Sequence, residues 1–145
     1  MKEIVARLAE SGKTGFEFRQ ECMEALSEIP GYDWSGIYRL EGDTLVLDAY
    51  IGAPTEHDRI QVGVGVCGTA VATGQNQVVE DVNSLENYLS CSISTRSEIV
   101  VLIRESDDPD KILGQIDIDG HEIGRFKEAD EAFLEDLAAL IAARW

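Results

Sequence analysis

The residues able to do redox or acid–base work stand in a few short runs. Cys67 lies in GVGVCGTAVATG, from Gly63 to Gly74, a thiol between glycines followed by small residues. Cys91 lies in LSCS, 24 positions further on. Both are read on a loop or an element end among small neighbours, the setting of a thiol that a substrate or a second sulfur must reach. The glycines around Cys67 predict that it is accessible. A permanent bridge between the two would be worth about 3.5 kcal/mol in the chain-entropy model. Three cysteines, however, are an odd number without a paired framework and suit a reducing compartment. A bridge that forms and breaks is therefore the better expectation. Cys22 falls on an apolar helical stripe and is read as core.

Alternation along extended segments places the acids. In Ile116-Asp117-Ile118-Asp119 the isoleucines face one side and the carboxylates the other. That pattern fits the solvent face of a half-buried strand as well as the wall of a pocket. In Ser97-Glu98-Ile99-Val100-Val101-Leu102, Glu98 shares a side with Val100 and Leu102, so it sits at a wet strand end or lines a pocket. In a pocket, burial and neighbouring carboxylates would keep one acid protonated, ready to give its proton to an oxygen. Trp34 and Tyr38 share a side with Gly36 between them. They form either a notch for an apolar tail or two aromatics filling a core.

Other chemistries find no support. There is no CxxC, and His57 and His121 are read without ligand-like neighbours, so no metal site is expected. No motif selects a Cys–His hydrolase. GVGVCG lacks the GxGxxG spacing and strand–helix setting of a dinucleotide site. With 28 acids against 12 bases and a net charge of −16, the chain has no cationic footprint for nucleic acid and is repelled by anionic membranes. The same charge suits a halophilic source or a well-solvated enzyme. No apolar run approaches the roughly 20 residues of a membrane span and no leader opens the chain, so a cytoplasmic protein is expected.

The elements that must hold these residues are legible in outline, and 145 residues with 44% hydrophobic content suffice for one domain with a real core. Helical spacing over Phe16 to Ile29 sets Phe16, Cys22, Met23, Leu26 and Ile29 on one stripe, ended by Pro30-Gly31. Trp34–Leu40 and Thr44–Ile51 read as strands joined by Glu41-Gly42-Asp43. Short strands follow at Arg59–Val62 and Gln77–Glu80, with a brief helix at Gly68–Thr73. The polar stretch Asn83–Arg96 reads as a loop with a short helical piece. Strands at Glu98–Ile103 and Ile112–Ile118 flank an acidic turn from Glu105 to Asp110. A helix over Lys127–Arg144 closes the chain, with Phe133, Leu137, Leu140 and Ile141 on its stripe. Helices at both ends around five or six mostly hairpin-linked strands predict an α+β domain with an antiparallel sheet.

The ordered runs YDWSGIY, GVGVCGTA, VVEDV, the lone Cys91, SEIV and GQIDID together resemble the free methionine-(R)-sulfoxide reductases, a GAF-domain family. The resemblance covers the chain from about Tyr32 to the last helix. It implies a GAF fold, with a central antiparallel sheet of about six strands, helices on one face and a ligand pocket on the other. It also implies reduction of free, not protein-bound, methionine (R)-sulfoxide, without a cofactor. Trp34 and Tyr38 match the aromatic wall of the family's pocket, and Glu98, Asp117 and Asp119 match its carboxylates. Cys91 matches the nucleophile that becomes a sulfenic acid, and Cys67 the cysteine of GVCGTA. A disulfide recycled by thioredoxin or a similar dithiol, and pairing into a homodimer, are further implications. His57 stands where better-known members carry another cysteine, so the chain resembles a two-cysteine subtype in which Cys67 resolves the sulfenic acid. SEIV also runs on as Val101-Leu102 where many members have Leu-Pro. The rival from another class is a sensory GAF module that binds a small ligand and does no chemistry.

Overall fold

The computed structural model describes residues 1–85 and 94–145. Its elements run α1 (Lys2–Ala9), α2 (Gly15–Leu26), β1 (Trp34–Glu41), β2 (Thr44–Ile51), β3 (Arg59–Gln61), α3 (Gly65–Thr73), β4 (Gln77–Val79), a 3-10 turn (Val82–Ser84), β5 (Ser97–Glu105), β6 (Asp108–Gly120) and α4 (Glu128–Ala143). The described strands form one six-stranded sheet in the order β3-β2-β1-β6-β5-β4, antiparallel at every pairing. This is the α+β architecture expected from the pattern of elements.

The β1–β2 hairpin falls where its turn chemistry puts it. Gly42 takes a φ of 64°, a conformation that L side chains resist, and the strands pair from Glu41–Thr44 outward. The β5–β6 hairpin is longer than expected. Its turn is only Ser106-Asp107, and Asp108–Lys111 continue the strand as an exposed arm. Both faces of that arm meet solvent, so its polar residues carry no alternation to read.

Strand alternation divides the sheet into two sides with separate cores. Ile37 of β1, Ile116 and Ile118 of β6, and Ile99, Val101 and Ile103 of β5 are fully buried against α2 and α4, whose Phe18, Met23, Leu26, Leu134, Leu137 and Ile141 are equally buried. Each such side chain is worth about 1.5–3 kcal/mol in burial. Cys22 belongs to this core, as expected. Phe16 does not: at 51% exposure it lies off the buried stripe, near the end of α2 where few neighbours can cover it. The opposite side holds Trp34, Tyr38, Val100 and Leu102 beneath α3, which contributes Val66, Cys67 and Ala70. One helix therefore packs on the side that the resemblance reserved for the pocket.

A cluster of charges and rings fastens α2 to β2. Arg19 donates to Asp48 at 2.6 Å and lies over the Trp145 ring at 4.6 Å, while Arg39 donates to the other oxygen of Asp48 at 3.0 Å. At the start of α4, the Tyr32 hydroxyl donates to Asp130 at 2.6 Å and the Arg125 guanidinium stacks on Tyr32. No helix among the described residues is long and apolar enough to cross a membrane.

Candidate functional site

Register brings the acids together. Across β1, β6 and β5, Trp34 pairs with Asp119 and Asp119 with Glu98, while Gly36 pairs with Asp117 and Asp117 with Val100. All these side chains stand on the α3 side of the sheet. Glu98, Asp117 and Asp119 are 3%, 0% and 1% exposed, so the solvent-face reading of Asp117 and Asp119 and the wet-end reading of Glu98 both fall away. Oε1 of Glu98 and both oxygens of Asp117 are buried away from any N–H among the described residues, and the hydrogen bonds at Asp117 come from the Glu98 carboxyl and the Cys67 thiol. Gln115, fully buried on the same side, has neither amide atom partnered among those residues.

Burial drives the Glu98 carboxyl well above its ordinary value of 4.5, and the negative charges of Asp117 and Asp119 push the same way. Burial also raises Asp117, while hydrogen bonds from Glu98 and Cys67 pull it back. Glu98 is thus the acid most strongly biased toward its protonated form, and it is hydrogen-bonded to Asp117 and Asp119.

Cys67 sits in the first turn of α3, directly over this trio. Its thiol donates to Oε2 of Glu98 at 3.9 Å. At 5% exposure it is shielded from solvent, and the Cys91 that its glycines are read as admitting lies outside the described residues. In the fold the glycines serve close packing: a Cβ on Gly68 would stand 2.5 Å from the Gln61 carbonyl oxygen and 2.9 Å from the Gly63 nitrogen. Gly65, with φ at 69°, opens the helix three residues before the expected start. The glycines press α3 onto the sheet and bring Cys67 down to the carboxylates.

Gly36 is explained in a similar way. A Cβ there would collide with the six-membered ring of Trp34, so the indole itself fills the gap between Trp34 and Tyr38. Of the two readings of this pair, the filled aromatic core is the one found. The indole stacks on Tyr50 at 5.8 Å and donates to the Ala53 carbonyl at 2.9 Å. The Tyr38 hydroxyl donates to the His57 carbonyl at 2.7 Å, which ties the segment after β2 to the sheet.

A small cavity of about 10 Å³ is enclosed by His57, Ile60, Val64, Gly65, Val66, Cys67, Glu98 and Asp117. It has room for about one water molecule. His57 lines this cavity together with the thiol and two of the acids. Ligand atoms of Cys67, Glu98 and Asp117 all lie within 4.8 Å of one another. A neighbouring cleft of about 330 Å³ continues from Gly65 and Val66 past Thr69 and Val79 to Leu85. Two other large clefts, one of about 530 Å³ beside Asn76 and Arg104 and one of about 560 Å³ between α1 and α4, touch neither Cys67 nor the three acids. Cys91 lies outside the described residues.

Comparison with known proteins gives this arrangement its family. The GAF domain family matches residues 17–145. The chain is 42% identical to the free methionine-R-sulfoxide reductase of Escherichia coli over 80% of its own length, and it spans 66% of the length of that protein. The type II free methionine-R-sulfoxide reductase of Thermoplasma acidophilum superposes with a TM-score of 0.83 at 35% identity, over 97% of this chain and 93% of that one. The free methionine-R-sulfoxide reductase of Neisseria meningitidis, solved in complex with its substrate, superposes at 0.87 with 31% identity, over 99% of this chain and 84% of that one. The buried acids beneath a small-residue helix thus sit in a chain that belongs to the GAF-domain family, in its free methionine-R-sulfoxide reductase branch.

Proposed function

We propose that the chain reduces free L-methionine (R)-sulfoxide to methionine. The observation that carries this reading is the set of three buried acids, Glu98 among them biased by burial toward its protonated form, facing a thiol on one side of the sheet. Such a set suits a substrate with an ammonium group, which ionised carboxylates hold, and a polar S=O, which a carboxylic acid polarises. Asp117 and Asp119 take the ammonium. Glu98 gives its proton to the sulfoxide oxygen. Trp34 faces the S-methyl group, because sulfur-bearing groups pack well on aromatic rings.

Cys91 is the nucleophile. Its sulfur bonds to the sulfoxide sulfur while Glu98 protonates the oxygen. The oxygen then passes to Cys91 as that S–S bond and the old S–O bond break. Cys91 becomes a sulfenic acid, methionine leaves, and the Cys91 thiol proton restores Glu98. The Cys67 thiol then condenses with that sulfenic acid, releasing water and leaving a Cys67–Cys91 disulfide. Thioredoxin or a similar dithiol reduces it. This is a two-cysteine cycle, with His57 outside the redox chemistry. Methionine sulfoxide exceeds a cavity of about 10 Å³, so the Val64–Val66 wall moves outward when it binds, joining the cavity to the cleft beside it. The working unit is a homodimer in a cytoplasmic setting.

The test is consumption of the separate R and S epimers of free methionine sulfoxide with dithiothreitol and then a thioredoxin system, at low and high salt. Loss of the R epimer alone, abolished by Cys91→Ser, is the expected result. Turnover of neither epimer under any condition overturns the reading and leaves a ligand-binding module.

A further inference from the structure

Gln115 is fully buried on the α3 side of β6, and the reductase reading gives its amide no task. It pairs with Tyr38 of β1 and Leu102 of β5, both members of the apolar cluster on that side. Leucine or methionine would fill such a place at less cost, because a buried amide without partners forfeits its hydration. Its Nε2 is the only buried side-chain nitrogen without a partner among the described residues. We propose that Gln115 is a positioning residue for the three acids, donating its Nε2–H to Asp117 during turnover.

The two residues stand two apart on one face of the strand, which sets their Cα atoms roughly 6.5 Å apart. Side chains of these lengths close that span by a change of rotamer. Both oxygens of Asp117 are buried away from any N–H among the described residues, and its hydrogen bonds come from the Glu98 carboxyl and the Cys67 thiol. Under the reductase reading, on which this role rests, turnover removes both. Glu98 is ionised between protonating the sulfoxide oxygen and recovering a proton from Cys91. Cys67 loses its proton to the water released when it condenses with the sulfenic acid. The substrate ammonium offsets part of the charge, but it departs with methionine. The titratable groups about Asp117 are Glu98 on β5, Asp119 on β6, Cys67 on α3 and His57 in the cavity wall, with Tyr38 beside Gln115 on β1. No lysine or arginine lines that cavity. An idle amide on the same face is then the group able to meet the added negative charge.

The experiment measures kcat and KM for the R epimer in Gln115→Met and Gln115→Asn, with urea unfolding of each; Gln115→Leu is a second apolar variant. Methionine keeps the shape and loses the N–H, whereas asparagine keeps the N–H on a shorter stem and packs less well. In Gln115→Met, kcat should fall about tenfold or more with KM within about twofold, since the bond forms only after substrate is bound. That variant should be no less stable than the parent chain. Gln115→Asn should be the less stable of the two and yet the faster. Apolar variants as fast as the parent chain, or rates that rank as the stabilities do, would overturn the role. A parent chain inert toward both epimers would sink the reductase reading by itself. The amide is then tested without substrate, by carboxyl carbon-13 NMR of Glu98 and Asp117 against pH. Loss of the N–H should keep protons on this pair to about one pH unit higher, and coincident titration curves would equally overturn the role.

Discussion

The same strands, β1, β6 and β5, present two faces that obey opposite rules. Toward α2 and α4 they show a core of isoleucine and valine, with the small buried hydroxyls of Ser35 and Ser97 at one end of it. Toward α3 they show Glu98, Asp117, Asp119 and Gln115, every one of them as deeply buried as the isoleucines behind. A strand's period of two lets one residue contribute to stability and its neighbour to chemistry, with no space between them. The apolar face stabilises the fold by dehydration. The acidic face works against it, because carboxylates deprived of water and left short of donors favour the unfolded chain. A fold that tolerates such a face invests the surplus of the other in holding groups at unusual protonation.

The sharpest way to break this comparison is to cut into the apolar face. Ile118→Ala should cost about 2–5 kcal/mol in urea unfolding. A loss below about 1 kcal/mol would mean that this face is not the one that stabilises the sheet. Next comes the place where the acidic face is packed by aromatic surface. Gly36→Ala drives a methyl group into the Trp34 indole and should cost about 1–3 kcal/mol. An unchanged midpoint would show that the indole is free to leave the gap. A smaller effect of opposite sign is expected from Asp117→Asn, which removes a buried charge and should raise stability near neutral pH by on the order of 1 kcal/mol. The same variant should weaken consumption of methionine (R)-sulfoxide, and a stabilised variant that kept full turnover would detach this acid from the chemistry.

The subtlest difference is one of slope against pH. Because burial holds the folded Glu98 carboxyl well above 4.5, the folded chain binds a proton there that the unfolded chain has already released. Its contribution to stability is therefore full below about pH 4.5 and is lost as the pH rises through the folded value. Glu98→Gln should flatten that decline relative to the parent chain in unfolding curves taken at successive pH values. Parallel curves would mean that Glu98 is ionised in the folded protein.

Sequence alone made much of this visible, and the losses have physical causes. The β1–β2 hairpin was legible because Gly42 marks a turn that few other residues make, and β2 ends at Ile51 as expected. Alternation identified which residues share a side of each strand. It could not say that Asp119 meets both Trp34 and Glu98, because register across separate hairpins is a tertiary fact. Glycine is the hardest residue to read. Gly65 and Gly68 speak in the sequence only for access to the thiol, and their packing role, a positive φ at Gly65 and a backbone contact at Gly68, is not visible there. Gly36 left a notch and a filled core both open, and the Trp34 ring decides for the filled one. That His57 lines the cavity beside Cys67 gave no sign in the sequence, since the two are brought together only by the fold.

The position of Trp34 has a spectroscopic consequence. The chain contains two tryptophans, and the other, Trp145, lies against Arg19 with the core of α2 and α4. Trp34 is stacked on Tyr50, screened from solvent, and directly opposite Asp119 in the sheet. Its emission therefore reports on the electrostatics of the acidic face, while that of Trp145 reports on the apolar one. In a Trp145→Phe background the remaining indole becomes an intrinsic, label-free reporter of events at Cys67 and the three acids.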